Sequence, residues 1–355
     1  MNVLHREGRD AKWHSGRRLG LLAGVAAASL SVLSTGCGQR AGASGANVVR
    51  IGYQKESGLD LLRLRGDLDK DFKAKGISVQ WVNFPAGPQL AQALGEGSID
   101  LGSLGDTPSI FAQAAGIDMV YAANTPGGRR SRGGEFLVPK GSTINSTADL
   151  KGKRVALQYG SASTYWLVQV LKNAGLKYSD IQAENLTQVD ALAAFGSGRI
   201  DAWLAWDPYE TLAERNYGAR VVKDKSNVQT AGGFYIASRE FATKHADRLK
   251  LILADVKTIS EWSHSRPLDA AKLMAPTLGL DVPTVERLFT LGSTVRLQPV
   301  TEKTIGLMQK EADTFFQLGL LPHKIDVRKC TLTPQQYAYI EPDSADAGTK
   351  LAKGE

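Results

Sequence analysis

The chain has 355 residues, which is too long for one average compact domain and suits two. With 43% hydrophobic and 22% charged residues, its composition excludes disorder over most of the length, collagen-like repeats and a polytopic membrane protein. The formal net charge is +7, but the first 36 residues hold five basic side chains against two acidic ones. The charge left for the rest is too small and too scattered for a nucleic-acid footprint.

Residues 1–36 have the pattern of an export signal. A basic stretch that ends in Arg17 and Arg18 precedes an apolar run over residues 19–33, which is too short for a stable membrane span. Cys37 directly follows small residues, a pattern that resembles the lipobox of bacterial lipoproteins. We therefore expect the Cys37 thiol to be acylated and to anchor the protein outside the cytoplasm. Two alternatives stay open: cleavage that releases a soluble periplasmic protein, and export by a twin-arginine route.

Two further segments are predicted to lack a fixed fold. Residues 37–47 are small, polar and Gly-rich, as expected of a flexible tether, and residues 339–355 have the composition of a disordered tail. The only other cysteine is Cys330, so acylation of Cys37 leaves no intrachain disulfide. The stability of the fold must then come from a packed core.

The sequence between these segments shows the same plan twice. Residues 50–57 (RIGYQKES) parallel residues 154–161 (RVALQYGS), and residues 95–108 (GEGSIDLGSLGDTP) parallel residues 196–208 (GSGRIDAWLAWDP). A second strand and a helix are predicted between the matched segments of both copies. This β-α-β-α-β pattern, repeated, predicts two α/β lobes, each with a parallel-rich sheet and helices on both faces.

The last third of the chain has apolar residues at helical spacing and cannot close a sheet by itself. It must pack on one of the lobes, which makes the other lobe an insertion. We therefore predict a discontinuous lobe 1 of residues 48–137 and 236–338, and a lobe 2 of residues 138–235. Two crossover strands near residues 136–138 and 235–237 would form a hinge, as in proteins that close around a ligand.

The expected ligand site lies between the lobes. Open parallel α/β sheets bind ligands beyond the carboxyl ends of their strands. The duplicated loops at residues 54–57, 104–108, 158–164 and 206–208 all lie at such ends, so they are predicted to converge on a cleft.

The loop after the first strand of lobe 2 is the most informative of these. Gly160, Ser161, Ala162 and Ser163 precede a predicted helix, and a glycine followed by small hydroxyl residues lets the backbone approach a ligand closely. The N–H groups of the first helical turn, with the helix dipole, form a site for an anion. The alternative is that Ser161 is only the N-cap of its helix.

An aromatic and two acidic residues complete the predicted cleft. Trp206 is expected to form an apolar wall, whereas Trp203, three positions earlier on the strand, is expected in the core. Asp106 and Asp207 face the cleft or cap the helices that follow them, and both interpretations stay open. An anion site beside apolar walls suits a small molecule with a charged head group and a hydrocarbon tail.

Several segments of the sequence resemble those of a known family. The periplasmic substrate-binding proteins of aliphatic sulfonate ABC importers share closely similar segments, namely GYQK (52–55), FPAGPQ (84–89), GSIDLGS (97–103), GDTP (105–108), ADLKGKRVA (148–156), LAAFGSGRIDAWLAWDPY (192–209) and KIDVR (324–328). Relatives that bind taurine, nitrate or thiamine precursors resemble the chain more loosely. The similarity covers about residues 48–335 and implies a type II periplasmic-binding-protein clamshell.

The resemblance also implies a ligand and a site. The ligand would be an alkanesulfonate or a taurine-like sulfonate, held by loop N–H and hydroxyl groups and delivered to an ABC permease with its ATPase. The residues that the family pattern places in the cleft are Gln54, Asp106, Ser161, Ser163, Trp206 and Asp207. Glu56 departs from the pattern, since the family commonly has a small residue there, and its carboxylate would repel a sulfonate unless the ligand also carries an amine. Binding of nitrate or of a thiamine-pyrimidine precursor is the alternative.

We expect no catalysis, cofactor or metal ion. None of the histidines lies on a predicted cleft loop, and the chain has neither a G-x-S-x-G elbow nor a Walker P-loop. An α/β clamshell enzyme is the minor alternative. The protein is expected to be a monomer that contacts the membrane only through its lipid anchor.

Overall fold

The computed structural model describes residues 47–126, 135–223, 228–291 and 297–337. The predicted export signal, Cys37, all but the last residue of the tether, and the C-terminal tail lie outside these residues. Within the described ranges, no helix has the length and apolar character that a membrane crossing requires.

The first sheet contains five strands in the order β2-β1-β3-β10-β4. Their bounds are β1 Val48–Tyr53, β2 Ser78–Asn83, β3 Leu101–Gly105, β4 Met119–Thr125 and β10 Gly233–Ser238. Strand β1 pairs in parallel with both β2 and β3, and β10 runs antiparallel between β3 and β4. The carboxyl ends of β1 and β3 therefore lie at one edge of this sheet.

The second sheet repeats this arrangement, with the order β7-β6-β8-β5-β9. Its strands are β5 Glu135–Val138, β6 Arg154–Leu157, β7 Gln182–Asn185, β8 Ala202–Trp203 and β9 Arg220–Lys223. Strand β6 pairs in parallel with β7 and β8, while β5 runs antiparallel between β8 and β9. Strand β5 belongs to the second sheet and β10 to the first. The chain therefore passes from the first sheet to the second before β5, and it returns to the first sheet before β10. The α/β prediction with two duplicated sheets is confirmed.

Thirteen helices pack on these sheets in the described part of the chain. They are α1 Gly58–Arg65, α2 Asp67–Ala74, α3 Gly87–Gly95, α4 Asp106–Ala114, α5 Ala162–Asn173, α6 Gln188–Gly196, α7 Tyr209–Tyr217, α8 Arg239–Lys244, α9 Ala246–Ser265, α10 Pro267–Leu278, α11 Val282–Leu291, α12 Glu302–Gln317 and α13 Pro334–Tyr337. Below, lobe 1 means the first sheet with α1–α4 and α8–α13, and lobe 2 means the second sheet with α5–α7.

Apolar burial accounts for both lobes. One core cluster joins the first sheet to the C-terminal helices, and it includes the helical residues Ile252, Val256, Met308 and Phe315. In lobe 2, Val155 and Leu157 of β6 belong to one cluster while Ala156 belongs to another, so this sheet is covered on both faces. Each fully buried Leu, Ile or Phe side chain contributes about 1.5–3 kcal/mol relative to exposure.

A matched pair of salt bridges supports the duplication. The Arg50 guanidinium contacts the Asp100 carboxylate at 2.7 Å, and the Arg154 guanidinium contacts the Asp201 carboxylate at the same distance. The backbone N–H of each arginine also donates to its aspartate, at 2.7 and 2.8 Å respectively. In both lobes, the first strand is thereby tied to the residue just before the third strand of the unit.

Candidate functional site

Two of the four predicted loops, residues 104–108 and residues 158–164, meet where lobe 2 approaches lobe 1. An added Cβ on Gly105 would lie 3.9 Å from the Ala162 Cβ, and an added Cβ on Gly160 would lie 3.8 Å from the Pro88 Cγ. The start of α5 in lobe 2 therefore lies against the carboxyl end of β3 and the start of α3 in lobe 1.

Two equivalent turns follow the first strand of each lobe. In residues 54–57 and again in residues 158–161, the serine N–H donates to the glutamine carbonyl at 3.2 Å. The third residue of each turn has a left-handed backbone, with φ of 70° at Glu56 and 74° at Gly160. Each turn leads directly into a helix, α1 or α5, whose N-terminus begins at the same edge of the sheet.

The N-terminus of α5 presents backbone donors. The N–H groups of Gly160, Ala162 and Ser163 have no hydrogen-bond partner among the residues that the structure describes. They belong to the first turn of a helix, where the macrodipole is positive. The Ser161 hydroxyl donates to the Gln158 carbonyl at 2.6 Å, and Ser163 is buried. This group, which we call the α5 cradle (residues 160–163), can bind an anion without a buried cation.

Gln54 lies on the opposing side, at the end of β1. Its side chain is half-buried, and Nε2 donates to the Ser103 carbonyl of β3 at 3.1 Å. This bond fixes the position of the amide across the carboxyl ends of two neighbouring strands.

The structure places Asp106 inside lobe 1 rather than on the cleft surface. Its side chain is 1% exposed, and its carboxylate accepts N–H bonds from Thr107, Ala231 and Gly232 at 2.9, 3.1 and 3.3 Å. These bonds tie the start of α4 to the segment that enters β10. These backbone donors of its own lobe give Asp106 a supporting role at the start of α4, and its contact with a ligand stays a prediction.

A second buried carboxyl group lies near Asp106. Glu311 of α12 is 1% exposed and accepts a hydrogen bond from the Thr107 hydroxyl. Burial raises the pKa of Asp106 to about 6, and burial together with the Asp106 charge raises the pKa of Glu311 well above its usual value. Sequence reasoning missed this pair because α12 follows Asp106 by about two hundred residues.

The predicted roles of the two tryptophans separate in the structure. Trp203 is fully buried and packs against Phe195, with ring centroids 5.9 Å apart. Trp206 is half-buried, and because β8 ends at Trp203, it lies in the loop after the strand and not on the strand itself. The alternation of side chains along a strand therefore does not determine the direction of the Trp206 side chain.

Asp207 caps the helix that follows it. Its Oδ1 accepts from the Thr211 N–H at 3.2 Å and from the Thr211 hydroxyl at 2.7 Å. The Asp207–Pro208 peptide bond is cis. The Asp207 side chain is half-buried.

The charge of Asp207 in lobe 2 acts on Glu56 in lobe 1. Burial is the main cause that raises the pKa of Glu56 well above its usual value, and the negative charge of Asp207 adds to it. The same Glu56 charge, after burial, raises the pKa of Tyr209 at the start of α7. Sequence reasoning noted Glu56 only as a departure from a family pattern. The position of Gly160 in the equivalent turn is the signal that could have predicted its backbone conformation.

An apolar pocket of about 870 Å³ borders the α5 cradle. It extends from Gly160 and Thr164 along α3 and α4, where Pro88, Pro108 and Phe111 contribute to its wall. Its size is in the range that small-molecule sites occupy. In the described ranges, no group of three His, Cys, Asp or Glu side chains could hold a metal ion.

Comparison with known proteins identifies the family. Residues 71–270 match the family model described as NMT1/THI5 like. A relative from Escherichia coli (strain K12), named for binding aliphatic sulfonates, is 41% identical over 294 residues, covering 82% of this chain and 91% of the relative. The chain belongs to the aliphatic sulfonate-binding proteins of the NMT1/THI5-like family.

Solved structures of this family have the same fold. The periplasmic aliphatic sulphonate binding protein SsuA from Escherichia coli aligns with a TM-score of 0.74 at 40% identity, over 81% of this chain and 92% of that one. The alkanesulfonate-binding protein SsuA from Xanthomonas axonopodis pv. citri, bound to MOPS, also gives 0.74, at 35% identity over 80% and 98%. The resemblance and the type II periplasmic-binding-protein fold predicted from the sequence are confirmed. The family consists of binding proteins and not of enzymes.

Proposed function

We propose that this protein captures an aliphatic sulfonate between its two lobes and delivers it to an ABC permease. The observation that carries the proposal is the α5 cradle, a set of backbone donors at a helix N-terminus that lies against lobe 1. The family supports it, since the relatives described above are named for binding sulfonates.

The chemistry of a sulfonate suits such a cradle. A sulfonate stays ionised at biological pH, has three oxygens and has no proton to donate, so only donors can satisfy it. Neutral N–H groups do so without the desolvation of a buried cation. A ligand that needs a hydrogen-bond acceptor at the same place is disfavoured, because its donor would be left unpaired.

Each predicted residue except Asp106 would contact the ligand in this proposal, and Asp106 would hold the start of α4 in position. The head group would bind to Gly160, Ser161, Ala162 and Ser163, and Trp206 would contact the hydrocarbon chain. Gln54 would bind from lobe 1, while Asp207 would face the far end of the ligand. Contacts from both lobes to one ligand favour the closed arrangement, because a ligand shifts the open–closed equilibrium by its differential affinity for the two states.

The proposal includes the cellular setting that the sequence predicts. Residues 1–36 would direct export, and acylated Cys37 would hold the protein at the membrane surface, facing outside the cytoplasm. The partners would be a permease and its ATPase. Capture of nitrate or of a thiamine-pyrimidine precursor is the competing function, and the ligand panel below discriminates between them.

The test removes one donor from the cradle without breaking the helix. Ala162 is the first residue of α5, and Ser161 before it has φ −89° and ψ 166°. The first position of a helix tolerates a proline. The residue before a proline must have an extended backbone, which Ser161 already has. Ala162→Pro should therefore keep α5 and weaken sulfonate affinity about 10- to 100-fold, the effect of one lost hydrogen bond to a charged group.

The matched control is Glu302→Pro at the first residue of α12, where Thr301 has φ −89° and ψ 164°. Calorimetric titration in phosphate buffer would compare 1-propanesulfonate, 1-hexanesulfonate, taurine, nitrate, sulfate and an aminopyrimidine. The control should bind sulfonates like the unchanged protein. Equal affinity in Ala162→Pro would remove the cradle from the proposal, and binding of nitrate alone would replace the proposed function by its competitor.

A further inference from the structure

Tyr235 carries a buried hydroxyl group that has no partner within lobe 1. The residue lies on β10, and its side chain is 4% exposed. None of the residues that the structure describes forms a hydrogen bond with its hydroxyl oxygen. Burial alone raises the pKa of this hydroxyl well above its usual value, with no contribution from a hydrogen bond or a charge. Buried polar atoms nearly always have a partner, so the hydroxyl group requires an explanation.

The equivalent position in lobe 2 has an aromatic ring without a hydroxyl group. Ile236 of β10 and Leu137 of β5 each pair with the residue two positions after the aspartate of their lobe's matched salt bridge. The residue before each of them is therefore Tyr235 in lobe 1 and Phe136 in lobe 2. Phe136 is 1% exposed, so a plain phenyl ring fills this position in a sheet of the same topology. The packing of the fold needs the ring but not the hydroxyl group.

The Tyr235 hydroxyl lies against the N-terminus of α1. A Cβ added to Gly58, the first residue of this helix, would lie 2.8 Å from the hydroxyl oxygen. The N–H groups of Gly58 and Leu59 have no hydrogen-bond partner in the described part of the chain, and Gly58 is half-buried. These two N–H groups and the Tyr235 hydroxyl, which we call the α1 site, form a set of donors at a helix N-terminus.

The α1 site lies at the edge of the first sheet that meets lobe 2. Gln54 Nε2 donates to the Ser103 carbonyl at 3.1 Å, and Ser103 lies directly opposite Tyr235 in the register of β3 and β10. Gly105, two residues after Ser103, is the residue whose added Cβ would lie 3.9 Å from the Ala162 Cβ of the α5 cradle. Donors of lobe 1 and donors of lobe 2 therefore border the same cleft.

The two donor sets differ in their charge. The first turn of α5 has no acidic residue, whereas the first turn of α1 contains Asp60, which is fully buried. Asp60 accepts from the Glu56 N–H at 3.2 Å and contacts the Arg63 guanidinium at 2.7 Å. Asp60 thus already supplies the negative charge that a helix N-terminus favours. The α5 cradle suits an anion, and the α1 site suits an uncharged oxygen that accepts hydrogen bonds.

We propose that the α1 site binds an uncharged oxygen of the ligand and selects sulfonates that carry a hydroxyl or ether oxygen beyond the head group. The Tyr235 hydroxyl is the specificity-determining donor of this site. The inference rests on the proposed function, because it takes the sulfonate to bind at the α5 cradle. It predicts that hydroxyalkanesulfonates bind more tightly than alkanesulfonates of the same size.

Two matched pairs of probes differ only by a hydroxyl group in place of a methyl group. They are 2-hydroxyethanesulfonate with 1-propanesulfonate, and 3-hydroxypropanesulfonate with 1-butanesulfonate. Calorimetric titrations in phosphate buffer would compare the unchanged protein with Tyr235→Phe, which removes only the hydroxyl group. The control is Tyr121→Phe, because Tyr121 is also fully buried in the first sheet but donates to Gln113 of α4 at 3.5 Å.

A second variant displaces the hydroxyl group without removing it. The Cβ of Gly58→Ala would lie too close to the Tyr235 oxygen, so the ring must shift. Its control is Gly306→Ala on α12, where an added Cβ meets nothing within 4 Å. Thermal unfolding checks that all variants are folded. Tyr235→Phe should melt no lower than the unchanged protein, since its hydroxyl makes no bond within the fold.

In at least one pair, the unchanged protein should bind the hydroxyl ligand about three- to tenfold more tightly, the effect of one hydrogen bond. Tyr235→Phe and Gly58→Ala should each remove this preference by weakening the hydroxyl ligand, and should leave the alkyl ligand within about twofold. Tyr121→Phe and Gly306→Ala should keep the preference of the unchanged protein.

The two levels of the proposal fail differently. If neither hydroxyl ligand is preferred and Tyr235→Phe changes no affinity, the α1 site is refuted while sulfonate capture stands. An equal loss for both members of a pair would place the Tyr235 hydroxyl at the head group and overturn the proposed selection. If none of the four sulfonates binds to any of these folded proteins, the proposed function itself falls.

Discussion

Arg215 in the last turn of α7 forms a salt bridge with Asp281, which directly precedes α11, so a cation of lobe 2 is paired with a carboxylate of lobe 1. A second bridge lies beside it, with Glu214 of α7 at 3.7 Å from Arg287 of α11. The hydrogen bond from Arg215 is the main cause that lowers the pKa of Asp281 to about 2, so the pair stays charged at any working pH. These bridges can form only when the lobes are close together.

Arg215→Gln should therefore weaken ligand binding without touching the cleft. The pair is half exposed, so we expect a small loss of affinity, about two- to fivefold at low salt, which added salt should diminish. Titrations at about 50 and about 500 mM salt would measure this. The control is Arg239→Gln, whose partner Asp118 lies in the same lobe. An equal loss of affinity in both variants would show that the bridge has no part in closure.

The buried carboxyl pair of Asp106 and Glu311 predicts an unusual pH dependence of stability. In the folded protein the pKa of Asp106 is raised to about 6, whereas an unfolded aspartate loses its proton near pH 3.9. Between these values the folded state holds more protons than the unfolded state. The free energy of unfolding therefore decreases as the pH rises from about 4 to about 6, by at most about 2–3 kcal/mol.

Glu311→Gln should flatten this dependence. The glutamine oxygen can still accept from the Thr107 hydroxyl, but the charge beside Asp106 is gone. Urea unfolding at pH 4.5 and pH 7.5 would compare the variant with Glu302→Gln, a change at an exposed position of the same helix. We expect the Glu311 variant to gain stability mainly at the higher pH. A gain of the same size at both pH values would mean that the Glu311 charge does not affect the titration of Asp106.

The duplicated salt bridges predict unequal effects of the same substitution. Asp100 is 14% exposed and Arg50 21%, whereas Asp201 is 31% exposed and Arg154 39%. Asp100→Asn should therefore lower the free energy of unfolding by about 1–3 kcal/mol, and Asp201→Asn should lower it less, because solvent screens the more exposed pair. Arg154 lowers the pKa of Asp201, so its contribution is present above about pH 4 and is lost as the pH falls. Chemical denaturation monitored by tryptophan fluorescence would rank the two variants, and the opposite ranking would contradict the burial argument.

The sequence was sufficient for features that depend on local repetition. The matched spacing of Arg50 with Asp100 and of Arg154 with Asp201 is visible in the chain, and it marks two units that fold alike. The N-terminus of α5 follows from small residues after a strand. These features are set by neighbours along the chain, which a pattern search compares directly.

Other features depend on contacts between distant segments. Asp106 accepts hydrogen bonds from Ala231 and Gly232, which lie in the segment that enters β10, far from Asp106 along the chain. The bridge of Arg215 with Asp281 likewise depends on how the lobes meet. No periodicity in the sequence encodes such contacts.

Tyr165 anchors the α5 cradle against lobe 1. It lies on α5 of lobe 2 but is 3% exposed and belongs to the core cluster of lobe 1. Its ring meets the ring of Phe315 on α12 edge to face, with centroids 5.9 Å apart. Removal of a buried aromatic ring costs about 3–5 kcal/mol in a core, and here part of that loss falls on the contact between the lobes.

Tyr165→Ala should weaken sulfonate affinity at least about tenfold, because the helix that carries the cradle loses its anchor in the other lobe. Tyr165→Phe keeps the ring and should bind within about twofold of the unchanged protein. Trp166→Ala removes the neighbouring ring, which packs within lobe 2 only, and serves as the control for a general loss of stability. Calorimetry would give the affinities and thermal unfolding the stabilities of all three variants. If Tyr165→Ala lowers the melting temperature as Trp166→Ala does but leaves the affinity unchanged, Tyr165 supports the fold and not the closure of the lobes.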